Sequence, residues 1–168
     1  MTARSDSIFA STVLGTVAFR LRRAVAGDVP EIVQLLAADQ LGATRDNVAD
    51  RDLTPYLRAF DAITADPAHL LVVAVAGGEQ VVGTLQLSVL PGLARRGAFR
   101  AQIEAVRVHE AHRACGVGTW MLGWAVEWAR RQGCGLVQLT SDKRRTDAHR
   151  FYERHGFVNS HDGFKRFL

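Results

Sequence analysis

The reading of this chain turns on Val106-Arg107-Val108-His109-Glu110-Ala111-His112-Arg113-Ala114-Cys115-Gly116-Val117-Gly118-Thr119. A β-branched run ends, a short polar loop carries Arg113, and a Gly-x-Gly pair opens a segment whose apolar spacing predicts a helix from about Gly116 to Arg131. The first N–H groups of a helix have no partner within it. The helix dipole adds partial positive charge at the same end, and glycine lets a phosphate approach the backbone closely. Arg113, Ala114, Cys115, Gly116, Val117, Gly118 and Thr119 are therefore candidates to cradle a pyrophosphate. No Gly-Lys-Ser/Thr follows, so this is not a Walker loop, and the glycines do not fit the dinucleotide fingerprint. Taken alone, the Gly-x-Gly also suits a turn that only packs.

Outward from this loop the elements follow in order. Upstream, Arg100 to Val108 reads as a strand, with Ile103, Ala105 and Arg107 on one face and Glu104, Val106 and Val108 on the other. Before it lie an arginine-bearing loop (Arg95, Arg96), a strand from Val81 to Leu90, a Gly77-Gly78-Glu79-Gln80 hairpin turn and an apolar strand from Leu70 to Ala76. Two helices precede these. One is capped by Gly27 or Asp28, with Pro30 early; the other starts at Thr54-Pro55 and ends at Pro67. Leu41 to Arg51 reads as loop. Val17 to Arg22 is the first expected strand, after a leader over residues 1–16. Downstream, Gly133 ends the helix. Leu136 to Thr140 is a strand, Asp147 to His155 a helix, Phe157-Val158 the start of another strand, and Phe164 to Leu168 a further one. This order predicts a mixed α/β sheet protein with one domain over 17–168.

Composition agrees. The chain has 168 residues, 48% apolar and 23% charged, which suits one ordinary folded domain and excludes disorder, collagen and coiled coil. No apolar run reaches the roughly 20 residues that span a bilayer, and Ser, Thr and Gly interrupt the stretch from Ile8 to Phe19 that a signal peptide would need. The expectation is a cytoplasmic protein with no membrane partner. Two cysteines, Cys115 and Cys134, fit a reducing compartment. The net charge is +4, and it is unevenly placed. Residues 1–90 carry 7 Arg against 10 acids, and residues 91–168 carry 14 basic groups against 7 acids. A uniform nucleic-acid coat does not predict that division, and no recognised reader motif is present.

Arg113-Ala114-Cys115-Gly116-Val117-Gly118 resembles the acetyl-CoA signature of the GNAT family of N-acetyltransferases, Gln/Arg-x-x-Gly-x-Gly/Ala. Ala148-His149-Arg150-Phe151-Tyr152-Glu153-Arg154-His155-Gly156-Phe157 resembles that family's second signature, a helix reading Ala-x-x-Phe-Tyr that ends in Gly-Phe. The run Thr146 to Tyr152, with Ser160-His161 and Phe164-Lys165, is similar to the aminoalkylphosphonate N-acetyltransferase branch. The resemblance implies a mostly antiparallel, twisted sheet, splayed where acetyl-CoA binds and flanked by helices. It also implies acetyl transfer to a small-molecule amine, with acetyl-CoA as cosubstrate, and a homodimer.

By the same resemblance, Glu104 is the base that takes the proton of the amine, and Tyr152 the donor to the leaving thiolate. Backbone at Val106 and Val108 holds the acetyl carbonyl and pantetheine, and Thr140 touches pantetheine. Ala114 stands where the family usually has glycine, a change expected to matter little because it precedes the tight turn. Arg145 stands where the family often has Asn, and is expected to face cofactor phosphates. Blander readings stay open: Glu104 as a strand acid paired with Arg100 or Arg107, Tyr152 as a core tyrosine. A catalytically idle acyl-CoA sensor or a protein N-acetyltransferase are the alternative functions. His109, His112, Cys115 and Cys134 have zinc-ligand chemistry without evident convergence. Trp120, Trp124 and Trp128 recur at helical spacing, as a core stripe does. Asp39 to Asp66 is rich in aspartate and is the expected rim of a cationic acceptor site, whereas Arg95, Arg96 and Arg100 suit a carboxylate or phosphonate on the acceptor.

Overall fold

A computed structural model describes residues 8–38 and 52–168. Six strands form one sheet in chain order: β1 (Ile8–Leu14), β2 (Val17–Arg23), β3 (His69–Ala76), β4 (Gln80–Leu90), β5 (Phe99–Val108) and β6 (Cys134–Leu139). Neighbours are antiparallel except β5 and β6, which run parallel. A parallel pair needs a crossover, and α4 (Val117–Arg131) supplies it. On the other face lie α1 (Val29–Ala37) and α2 (Thr54–Ala65), each with proline in its first turn, where no N–H is missed. A single turn, α3 (Ala94–Gly97), joins β4 to β5, and α5 (Thr146–Arg154) follows β6. The loop expected from Leu41 to Arg51 lies outside the described residues.

The period-2 pattern of β3 and β4 divides their side chains between two cores. Leu70, Val72, Ala74, Leu85 and Leu87 join Val117, Met121, Leu122 and Ala125 of α4. Leu71, Val73 and Val75 join Ile32, Val33 and Leu35 of α1 and Phe60 of α2. Each Val, Leu, Ile, Phe or Met among them, fully buried, contributes about 1.5–3 kcal/mol of transfer free energy. Beside the second core, Arg22 makes a buried, bidentate pair with Asp28 at 2.7 and 2.9 Å. Asp28 also accepts from the Val25 amide, and Arg22 donates Nε to Glu79 at 3.1 Å. This ties the end of β2 to the entry of α1 and to the β3–β4 turn.

Three expectations change. Ile8 to Leu14, placed in the leader, is the edge strand β1, and Phe9 stacks on Trp124 of α4 at 5.3 Å, so a strand covers that member of the tryptophan stripe. The strands expected after α5 do not form. Phe157-Val158 is followed by the polar run Asn159 to Asp162, which leaves too short an apolar segment to pair, and Phe164, Phe167 and Leu168 are exposed. The strict alternation on β5 also fails. Thr84 pairs with Arg107 but Gln86 with Glu104, so two residues of β5 oppose one of β4. This is a β-bulge, with Ala105 at φ +53°.

Candidate active site

The bulge decides which groups face where. Ile103 is buried against α4, and Val106 and Val108 pack against the same core. Glu104 pairs with Gln86 and Arg107 with Thr84, so Glu104 and Arg107 share the opposite face, towards α1 and α2. The expectation that Glu104 shares a face with Val106 and Val108 is therefore corrected: the extra residue restores Val106 to the core side. Glu104 is exposed there, and Arg100 lies further along the same face.

The backbone beyond the bulge is open on one side. Pairing of β5 with β6 ends at Ile103 and Leu139. On the other side Arg107 pairs with Thr84, and the His109 amide donates to Val82 at 2.8 Å. Successive peptide groups of a strand point to opposite sides, so the groups of Val106 and Val108 face the gap left by β6. Their carbonyls accept from arginines: Arg107 Nη1 donates to Val106 at 2.8 Å and Arg113 Nε to Val108 at 3.1 Å. Thr140 follows the last residue of β6 and is exposed beside the gap.

The glycine loop stands at the mouth of this gap. Gly116 is the N-cap of α4 in a left-handed conformation, φ +95°, and no side chain caps the helix. The first-turn amides of Val117, Gly118 and Thr119 are thus available to an anion. Val117 is buried, while Gly118 is approached by α5: a Cβ there would lie 3.5 Å from Phe151. Cys115 is exposed and its Sγ donates to the His112 carbonyl. Ala114 itself has φ +61°. The expectation that this departure matters little is corrected, because left-handed backbone costs a residue with a Cβ about 1–2 kcal/mol.

Tyr152 of α5 packs against the α4-side core. Burial pushes its hydroxyl above the ordinary tyrosine range, with a lesser opposing pull from Arg107 and Arg145. A phenol held in its protonated form is a hydrogen-bond donor. Arg107 links the two halves of the site: it bonds the Val106 carbonyl and lies within electrostatic reach of Tyr152. Arg145 is the N-cap residue of α5, which places it beside Tyr152. The shared signal for Arg107, a basic residue within the strand that opens the site, was present in the sequence but was assigned to the wrong face. Of the acidic rim, Asp39, Asp46 and Asp50 fall outside the described residues, while Asp52 accepts from the Thr54 amide at the start of α2 and Asp66 lies after its end.

An exposed helix start and an open strand edge at one mouth, with a carboxylate on one face and a protonated phenol on the other, have close counterparts. The family model of the acetyltransferase (GNAT) family matches residues 29–157. The chain belongs to the GNAT family. As a member it is an acetyl-CoA-dependent acetyltransferase. The aminoalkylphosphonate N-acetyltransferase of Salmonella typhimurium is 32% identical over 148 residues, covering 88% of this chain and 90% of that one. An uncharacterized N-acetyltransferase of Bacillus subtilis is 48% identical over 108 residues, covering 64% of this chain and 74% of that one. Among solved structures, a Bacillus halodurans protein described as a transcriptional regulator superposes with a TM-score of 0.85 at 43% identity, over 89% of this GNAT chain and 99% of its own. No helix among the described residues is long and apolar enough to cross a membrane.

Proposed function

We propose that this acetyltransferase moves the acetyl group of acetyl-CoA to the primary amine of a small molecule by direct attack, and that the acceptor is of the aminoalkylphosphonate class. The observation that carries the reading is the gap beside Val106 and Val108, opened where β6 stops pairing, with Glu104 on the α1/α2 face next to it.

The loop from Arg113 to Thr119 fits a pyrophosphate, because its first-turn amides have no side-chain cap and Gly116 makes the left-handed turn that presents them; Gly118 lets Phe151 and Val108 pack close to the helix start. Acetyl-CoA supplies the activated thioester. The Val106 and Val108 amides donate to the acetyl oxygen and pantetheine, and stabilise negative charge as it develops on that oxygen. Glu104 takes the ammonium proton, directly or through water, which frees the nitrogen lone pair. As the N–C bond forms and the C–S bond breaks, Tyr152 gives its proton to the leaving sulfur; the second proton lost by the nitrogen passes to solvent, which reprotonates Tyr152. Thr140 borders the pantetheine path, and Arg145 and Arg107 offset negative charge near Tyr152. For the acceptor, Glu104 receives the ammonium end, and Arg100 or Arg107 on the same face suits the phosphonate.

Acetyl-CoA consumption is measured over a panel of amines, with and without a divalent metal. The expected result is turnover of aminoalkylphosphonates above plain alkylamines, and loss of that preference in Arg100→Ala. Equal turnover of both amine classes would remove the phosphonate assignment. No turnover of any amine, with retained acetyl-CoA binding, would favour the sensor reading. Duplex DNA is included because of the Bacillus halodurans relative; salt-sensitive binding tighter than that of acetyl-CoA would favour a nucleic-acid partner.

A further inference from the structure

We propose that His155 is a positioning residue for the phosphate end of acetyl-CoA, and that binding of the cosubstrate places a proton on it through Thr119. The inference rests on the pyrophosphate reading of the α4 start. His155 follows α5 and Thr119 is the third residue of α4. The imidazole bridges them: Nδ1 lies 2.7 Å from the Phe151 carbonyl oxygen, and Nε2 lies 3.0 Å from Thr119 Oγ1. Its ring also rests on that of Phe151, with centroids 4.4 Å apart, and Phe151 is the residue that approaches Gly118.

The proton positions follow from the partners. A carbonyl oxygen only accepts, so Nδ1 carries a hydrogen and donates it. In the neutral ring Nε2 is then an acceptor, and the Thr119 hydroxyl donates to it. That arrangement turns oxygen lone pairs, not a hydrogen, towards an anion at the helix start. When Nε2 gains a proton it donates to Thr119 Oγ1, and the hydroxyl hydrogen is released to the anion. A phosphate bound to the first turn of α4 therefore favours the imidazolium, through one continuous chain from phosphate oxygen to Thr119, His155 and the Phe151 carbonyl. The proton comes from solvent, and no bond to carbon or phosphorus changes.

The charged surroundings are compatible with this. The α4 first turn, Val117 to Trp120, contains no ionisable side chain; Arg113 lies in the loop before it. On α5, Glu153 and Arg154 precede His155 and are exposed, while Asp147 and Arg150 pair with each other. Among the described residues, the group that hydrogen-bonds Nε2 is the Thr119 hydroxyl.

Binding is measured by calorimetry at one pH, in buffers of differing ionisation enthalpy, which reads the protons taken up. Acetyl-CoA is compared with S-acetylpantetheine, which lacks every phosphate. The wild type is expected to take up more protons with acetyl-CoA than His155→Gln or Thr119→Val does. Thr119→Ser, which keeps the hydroxyl, is expected to retain the uptake. His155→Gln is expected to raise the acetyl-CoA Kd about tenfold, the scale of one charge-assisted hydrogen bond, and so to narrow the preference over S-acetylpantetheine. Equal uptake by wild type and His155→Gln, or undiminished uptake by Thr119→Val, would overturn the inference. Failure of the underlying pyrophosphate reading looks different: the wild type itself would bind acetyl-CoA no better than S-acetylpantetheine.

Discussion

Gly83 of β4 is the position at which one added methyl group tests how the site is held together. It lies opposite Val108 of β5 and beneath α4. A Cβ there would sit 2.8 Å from Met121 Sδ, 3.3 Å from Met121 Cε and 3.2 Å from the Arg107 carbonyl oxygen. Met121 is fully buried, so its side chain has no solvent to swing into. In an extended strand, alanine for glycine by itself gains about 0.5–1 kcal/mol from the unfolded chain. Overpacking a buried site costs about 1–3 kcal/mol, and a 2.8 Å approach makes that term the larger. Gly83→Ala is expected to destabilise by about 2 kcal/mol, a fall in Tm of roughly 4–8 °C for a chain of this size. It should also raise the KM for acetyl-CoA, because α4 carries the pyrophosphate loop and is pushed from the strand that carries Val106 and Val108. The assay is thermal and urea unfolding of Gly83→Ala in the wild-type and Met121→Ala backgrounds. Met121→Ala alone costs about 2–5 kcal/mol, but it empties the space, so most of the Gly83→Ala penalty should vanish there. An equal penalty in both backgrounds would refute the close approach as its cause.

Tyr152→Phe is expected to lower kcat by roughly 10²-fold with little change in acetyl-CoA affinity. Because burial raises the hydroxyl's pKa, the protonated form persists to higher pH than in an ordinary tyrosine, so any alkaline fall in kcat due to Tyr152 lies above that range and is absent from the Phe variant; wild-type turnover would remove the acid role. Glu104→Gln should lose activity chiefly at lower pH, where the amine is protonated and needs a base, and an unchanged pH–rate profile would remove that role. Ala114→Gly should stabilise the folded chain by about 1 kcal/mol, the left-handed penalty less the entropy of a glycine; unfolding in urea with no gain would show the loop to be unstrained.

Much of the fold was legible because apolar periodicity was strong where burial is greatest. The run Leu70 to Ala76 and the first-turn prolines Pro30 and Pro55 report their elements directly, whereas the expected caps do not form: Asp28 makes no capping hydrogen bond to α1 and Thr54 is the first helical residue of α2, after Leu53. What was missed had local signals that pointed elsewhere. Ile8-Phe9-Ala10-Ser11-Thr12-Val13-Leu14 sets apolar residues on both sides of a Ser-Thr pair with no clean period, so nothing local marks it as a strand; its antiparallel pairing with β2 does. The pair Arg22–Asp28 lies between charged residues six apart, and nothing in their spacing shows that both are buried. The His155–Thr119 contact joins two helices 36 residues apart, a tertiary fact that neither signature carries. At Ala105 no glycine marks the positive φ, so strict alternation was the natural extrapolation and gave the wrong face for Arg107.

That bulge also explains why one short strand can serve both sides of the proposed reaction. With strict alternation, Glu104 and Val106 would project together, and a base facing the acceptor would bring Val106 out of the core. One extra residue separates the two demands. Glu104 keeps the α1/α2 face, Val106 and Val108 keep the α4 core, and their peptide groups remain turned to the gap. The cost is a left-handed residue at Ala105, about 1–2 kcal/mol. Keeping every residue but pairing them in strict alternation, without the bulge, would shift the downstream strand by one residue and exchange its faces. Arg107 would then point into the α4 core as a buried charge, and Val108 would leave it. The strain at Ala105 is the smaller of the two penalties, so the packing of Val106, Val108 and Met121 holds the bulge in place.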